Sequence, residues 1–257
     1  MLTEYRVMTI PGLTHGSLPV TRTTGGVSVF PYPTAYEQVV PASWTTQVAI
    51  VFDVLRATST MAAILSHPGN RIIPCFSVEE ARGWKAREPS WLLAGERGGI
   101  PPEGFERGNS PREWGRGPER VTVIQTTTNG TRALKCCAGA AAVVAAALVN
   151  GAAVAAHLHR HFPGWPLALV LAGTGEDFAL EDAVGAAWLL KHLDIDHPWR
   201  SLAPRDAEHA FHLLAESRNG RRLVELGLGE DLAWCSQLDA LDVVPLMKDG
   251  VLLPDKA

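Results

Sequence analysis

The chain is predicted to be an α/β protein whose central sheet is mostly parallel, though mixed, and covered by helices on both faces. Two observations point there. Short apolar, β-branched runs alternate with helix-forming stretches along most of the sequence, as repeated βα units require. The polar clusters follow the ends of those runs, where ligands collect in such sheets.

The elements read as follows. Residues 1 to about 25 carry proline, glycine and threonine without a clear period and are expected to be a loose N-terminal segment. Residues 26–257 read as a single α/β domain. Val48–Asp53 is a strand and a helix follows near Ala57–Leu65. Arg71–Cys75 is the next strand, and Val78–Arg87 a helix with Ser77 as its cap and Glu79 and Glu80 in its first turn. Trp91–Ala94 leads into an irregular region, Gly95 to Pro118, rich in glycine, proline, arginine and glutamate. Val121–Gln125 is a strand with a helix behind it. Ala142–Ala146 precedes a helix from about Asn150, and Leu167–Leu171 one from about Leu180 to His192. Asp206–Glu216 and Arg221–Leu226 look helical, and Asp242–Leu246 is the expected last strand.

At 257 residues the chain can bury a substantial core. A net charge of −4 supplies no basic field, which argues against a nucleic-acid partner. The longest apolar stretch, Ala138 to Ala156, is broken by Gly139, Asn150 and Gly151, so it reads as a buried strand plus helix and no membrane span is expected. The four cysteines form no C-x-x-C pair, which fits reduced thiols and a cytoplasmic protein. A homodimer is a candidate assembly.

The most informative run is Val121-Thr-Val-Ile-Gln-Thr-Thr-Thr-Asn-Gly-Thr-Arg-Ala-Leu134. Read as strand, loop and helix, it aims hydroxyls and free N–H groups at one point, which suits phosphate. It is neither a nucleotide P-loop nor a dinucleotide fingerprint; the plainer alternative is a helix capped by Thr128 or Asn129. Val48-Ala-Ile-Val-Phe-Asp53 is built alike, with Arg56 three residues beyond Asp53. Asp53 is a candidate magnesium ligand or phosphoryl-accepting nucleophile and Arg56 a bidentate clamp; the plainer alternative is a capping Asp paired with Arg56. Haloacid-dehalogenase-type chemistry is excluded, because Leu55 stands where a second Asp is needed.

In the irregular region Glu96 could bind metal or take a proton, Arg97 could hold an anion, and Asn109 and Ser110 could donate hydrogen bonds. A solvated polar loop is the alternative, although loops this long inside a compact domain tend to be functional. Glu176 and Asp177 are accounted for as complements to a helix N-terminus. Glu181 and Asp182 lie further along that helix and are candidate metal ligands or acid–base groups. His157-Leu-His-Arg-His161 offers no third ligand and reads as a solvated helix terminus.

Together these motifs resemble the 2-phosphosulfolactate phosphatase family, known from coenzyme M biosynthesis. The likeness rests on Asp53-Val-Leu-Arg-Ala-Thr-Ser-Thr60, Gly95-Glu-Arg-Gly98, Gly108-Asn-Ser-Pro111, Thr127-Thr-Asn-Gly-Thr-Arg132 and Ala172-Gly-Thr with Leu180-Glu-Asp182. It implies a three-layer α/β/α fold and Mg²⁺-dependent hydrolysis of a small phosphorylated 2-hydroxy acid. On that basis Thr127, Thr128, Asn129, Gly130 and Thr131 would cradle the phosphoryl group and Arg56 would clamp it. Asp53 would hold Mg²⁺, with Glu96, Glu181 and Asp182 as further acidic candidates. Arg97, Asn109 and Ser110 would bind the acid end of the substrate. The attacking atom could be water or the Asp53 carboxylate. The rival reading is a non-catalytic sensor of a phosphorylated metabolite, which needs the cradle and the arginines but not Asp53 with a metal.

Overall fold

The computed structural model describes residues 21–22, 26–39 and 41–255. Apart from Thr21 and Arg22, the segment expected to be loose lies outside the described residues. The first half carries β1 (Thr21–Arg22), β2 (Val27–Phe30), α1 (Pro33–Glu37), α2 (Pro41–Trp44), β3 (Val48–Phe52), α3 (Ala57–Leu65), β4 (Arg71–Cys75), α4 (Val78–Arg87) and β5 (Leu92–Gly95). Then come β6 (Thr122–Thr126), α5 (Gly130–Cys136), β7 (Ala142–Ala146), α6 (Gly151–His161), β8 (Leu167–Leu171) and α7 (Leu180–His192). The chain closes with α8 (Ala207–Glu216), α9 (Arg218–Glu225), α10 (Glu230–Cys235), β9 (Val244–Lys248) and β10 (Val251–Asp255).

All of these strands join one sheet, in the order β1-β2-β8-β3-β7-β9-β10-β4-β6-β5. Two blocks are parallel: β2-β8-β3-β7 and β4-β6-β5. Between them stands the antiparallel β9–β10 hairpin, which touches β7 at Val144↔Leu246 and β4 at Leu252↔Ile72. The single last strand expected near residues 242–246 is therefore a hairpin that links the blocks. Its two-residue turn, Asp249-Gly250, has positive φ at both positions (51° and 79°), the backbone twist that tight hairpins favour.

The inner strands are buried on both faces, and their side chains divide with a period of two. Val48, Ile50 and Phe52 of β3 pack with α6 and α7 on one side, whereas Ala49 and Val51 pack with α3 on the other. In the second block Ile73 and Ile124 face α4, while Ile72 and Val123 face α3. Every residue of α3, Ala-Thr-Ser-Thr-Met-Ala-Ala-Ile-Leu, is buried, as expected of a helix enclosed on all sides. The architecture is the three-layer α/β/α type, with α3 in a layer shared by both blocks.

The sheet is also strongly coiled. β3 and β4 stand four positions apart, roughly 19 Å in a flat sheet, yet α5 packs against both. A twist of about 20–25° per strand accumulates to roughly 80–100° over those four steps. The two parallel blocks therefore cross steeply, and their carboxyl ends meet beside the N-termini of α3 and α5.

Candidate active site

The meeting point is a cavity of about 240 Å³ lined by Asp53 and Arg56, Glu96, Gly98 and Gly99, Asn109, Thr128 and Asn129, Thr174 and Gly175, and, from α9 and its end, Asn219, Arg222, Leu223 and Leu226. A bound water needs roughly 10–15 Å³, so a small organic acid fits. Both parallel blocks and α9 contribute to its wall.

Asp53 follows β3 and is only 9% exposed. Its Oδ1 accepts a hydrogen bond from the Ala57 N–H at 3.2 Å, and the Gly130 N–H also points at the carboxylate. A Cβ on Gly130 would lie 2.7 Å from Asp53 Oδ2 and 2.6 Å from the Ala57 Cβ, so only glycine lets α5 start this close. Burial pushes the Asp53 pKa up to about 7; the Ala57 and Gly130 N–H groups oppose the rise, and the charges of Glu96 and Glu181 add to it.

Arg56 is 4% exposed, and its ion pair is with Asp231. Its Nη1 donates to Asp231 Oδ2 at 2.5 Å in a buried ion pair, and its Nη2 donates to the Gly99 carbonyl at 2.7 Å. Ser110 donates to the other Asp231 oxygen at 2.6 Å. Asp231, on α10, thus neutralises Arg56 and fixes its plane. Glu96 joins the loops after β5 and β6: one oxygen accepts from the Thr128 N–H at 2.7 Å and the other from the Gly99 N–H at 2.9 Å. Arg97 does not line the cavity; it donates to Thr126 Oγ1 at 2.8 Å and to the Glu96 carbonyl at 2.6 Å.

The turn before α5 divides. Thr127 and Thr131 are buried and cap each other: the Thr131 N–H donates to Thr127 Oγ1 at 3.0 Å and the Thr127 N–H to Thr131 Oγ1 at 3.1 Å. With Thr128 N–H held by Glu96 and Gly130 N–H by Asp53, the helix start is not a row of unclaimed donors. Thr128 and Asn129 are the residues of this turn that reach the cavity, and Asn129 Oδ1 has no hydrogen-bond partner. Asn109 lines the cavity while its Oδ1 accepts from Gln125.

Asp182 braces the strand ends, accepting from the Val54 N–H at 2.9 Å and the Gly173 N–H at 3.0 Å. Burial, with the charges of Asp53 and Glu181, holds its pKa well above the usual carboxylate range. Glu181 is buried and its pKa is raised by that burial. Its Oε1 accepts from Asn219 at 2.5 Å, and its Oε2 has no hydrogen-bond partner. Neither Glu181 nor Asp182 is in the cavity wall itself. His157, read as solvated, is buried at 2% exposure because its face of α6 packs inward, with its ring 4.6 Å from that of His161.

Among the described residues no three His, Cys, Asp or Glu side chains converge closely enough to hold a metal alone. Mg²⁺ does not demand that: it is usually held by one or two carboxylates, completed by water and phosphate oxygens. Asp53, close enough to Glu96 and Glu181 to feel both charges, and the unpartnered Glu181 Oε2 form an acidic group that fits such an ion. The nearby Arg56 is already paired with Asp231.

Asp231, Asn219 and Arg222 escaped sequence reasoning because no local motif marks them. Residues 34–250 match the family model described as 2-phosphosulpholactate phosphatase. A Carboxydothermus hydrogenoformans protein named "Probable 2-phosphosulfolactate phosphatase" is 36% identical over 203 residues, 76% of this chain and 84% of its own. Proteins of the same name from Symbiobacterium thermophilum (36% over 217 residues, 79% and 92%) and Synechococcus sp. strain JA-3-3Ab (38% over 240 residues, 84% and 95%) are similar.

Proposed function

The chain belongs to the 2-phosphosulpholactate phosphatase family, and on that premise we propose that it is a magnesium-dependent phosphatase converting 2-phosphosulfolactate, or a closely similar phosphorylated 2-hydroxy acid, to the free hydroxy acid and phosphate. The observation that carries the reading is the buried Asp53 carboxylate facing a small cavity that Arg56, Thr128 and Asn129 also line. No helix among the described residues is long and apolar enough to cross a membrane. The free cysteines suit a cytoplasmic setting.

Hydrolysis joins a water oxygen to phosphorus, breaks the bond from phosphorus to the ester oxygen and leaves a proton on the released hydroxyl. Phosphate monoesters resist this strongly, so catalysis is mostly positioning and charge neutralisation. Arg56, held rigid by Asp231 and the Gly99 carbonyl, offers its remaining N–H groups to phosphoryl oxygens. Thr128 and the Asn129 amide donate from the turn after β6. Asp53, with Glu181 behind it, would hold Mg²⁺, which when bound screens the phosphoryl charge. Asp53 itself either takes the proton of the attacking water or attacks phosphorus directly, water then cleaving the acyl phosphate and freeing its carboxylate. Inversion at a chiral phosphoryl group marks the first route and retention the second.

The test is phosphate release from 2-phosphosulfolactate and 2-phospholactate, with and without magnesium, by the native protein and Asp53→Asn. We expect magnesium-dependent turnover that falls by about 10³-fold or more in the variant. Turnover that survives the substitution would remove Asp53 from the chemistry. Absence of turnover with phosphate still bound would favour a sensor.

A further inference from the structure

The cavity takes its charges from four side chains: Asp53, Glu96, Arg56 and Arg222. Two are acidic, and Arg56 has its charge matched by Asp231 at 2.5 Å. Arg97, the cation that the sequence suggested for the acid end of a substrate, is turned to Thr126 and the Glu96 carbonyl. Arg222 differs. Its side chain is 59% exposed, and its contact with Glu225, three residues on, is long at 3.4 Å between two solvated groups. A pair of that kind holds a guanidinium weakly.

The position of Arg222 is nevertheless fixed by its helix. Asn219 lies one turn earlier on the same face of α9, donating to Thr174 Oγ1 at 2.7 Å and Glu181 Oε1 at 2.5 Å. Gly220 lets α9 rest against the backbone of α8, since a Cβ there would meet the Leu214 carbonyl oxygen at 1.9 Å. Leu223 is buried and Leu226 flanks the same wall. The guanidinium is thus carried by a helix anchored to the acidic group, beside apolar residues that offer an anion no other donors.

We propose that Arg222 is the specificity-determining residue of this site: it pairs with a carboxylate or sulfonate at the far end of the substrate and so selects phosphate esters of acids over those of neutral alcohols. The proposal rests on the phosphatase reading. A planar fork matches either acid group in two parallel hydrogen bonds. Without it, the cavity has no cationic side chain left for a second acid group, since Arg56 is paired with Asp231 and turned to the phosphoryl end.

The experiment measures kcat and KM for 2-phosphosulfolactate, 2-phospholactate and glycerol 2-phosphate with the native protein, Arg222→Ala and Arg222→Lys. The preference for the two acids over glycerol 2-phosphate should fall about 10- to 100-fold in Arg222→Ala, chiefly through KM. Arg222→Lys should restore part of it. A preference unchanged within about twofold overturns the proposal, because kcat/KM ratios cancel any general loss of folded enzyme. Calorimetric titration of the product sulfolactate, run in parallel, separates the two readings. If the native protein hydrolyses none of the esters, the phosphatase reading fails. Arg222 is still upheld by sulfolactate binding that weakens at least about tenfold in Arg222→Ala, and overturned by equal binding or none.

Discussion

Asp231 keeps a guanidinium that is 4% exposed, that of Arg56, paired and oriented, with the Gly99 carbonyl fixing its second nitrogen. Replacing Asp231 with Ala would leave that cation buried without its partner, which costs about 3–5 kcal/mol. The expected outcome is a urea midpoint lowered accordingly, and a fall in kcat that Asp231→Asn softens but does not cure. A stability change below about 1 kcal/mol would show that Arg56 finds solvent or another partner. The two partners also differ in how they read from sequence. Arg56 is visible because it follows an apolar strand by a few residues. Asp231 lies 175 residues away in a short amphipathic helix, where an aspartate looks like any first-turn acid. Only its 1% exposure distinguishes it. Thr127 and Thr131 show the opposite case: sequence displays a cluster of hydroxyls, but only the fold shows that these two hydrogen-bond each other.

At the scale of elements, the β9–β10 hairpin is the piece on which the site's geometry depends, since it alone joins the parallel blocks within the sheet. Gly250 at φ 79° holds its turn, and alanine in that left-handed region costs about 1–2 kcal/mol. Gly250→Ala should lower stability by about that amount and speed amide exchange in β4 and β7 ahead of β8; exchange unchanged in β4 and β7 would show that the blocks cohere without the hairpin. Sequence reading found β3, β7 and β8 almost to the residue because strands buried on both faces are unbroken apolar runs, and β4 from its Ile72-Ile73 pair. It found α4 through Ser77, whose hydroxyl does accept from the Glu80 N–H. It missed β10, where Pro254 discourages a strand reading; that proline pairs only with Pro245 of β9, beyond the single contact with β4. The Asp249-Gly250 pair between apolar residues was the available signal.

For the whole molecule, three buried carboxylates in one place make folding sensitive to pH. The pKa values of Asp53, Glu181 and Asp182 are all raised, chiefly by burial, that of Asp53 from 3.8 to about 7. The folded chain then holds protons that the unfolded chain releases between about pH 4 and 7, so the contribution of Asp53 is fully present below pH 4 and lost as pH rises through 7. The metal-free protein should therefore melt at lower temperature at pH 8 than at pH 5. A divalent cation that binds the ionised cluster and not the unfolded chain would stabilise by mass action. Magnesium should raise Tm by several degrees at pH 8 and little at pH 5, and Asp53→Asn should remove most of that difference while stabilising the metal-free protein at pH 8. Calorimetric scans at both pH values, with and without magnesium, check this. An equal rise at both pH values, or one that survives Asp53→Asn, would place magnesium away from these carboxylates. Adjacency in the sheet is what makes the effect possible: Asp53 follows β3, and Glu181 and Asp182 open the helix after β8, the strand paired with β3. Glu96, from the end of β5 in the other block, adds its charge to the same group.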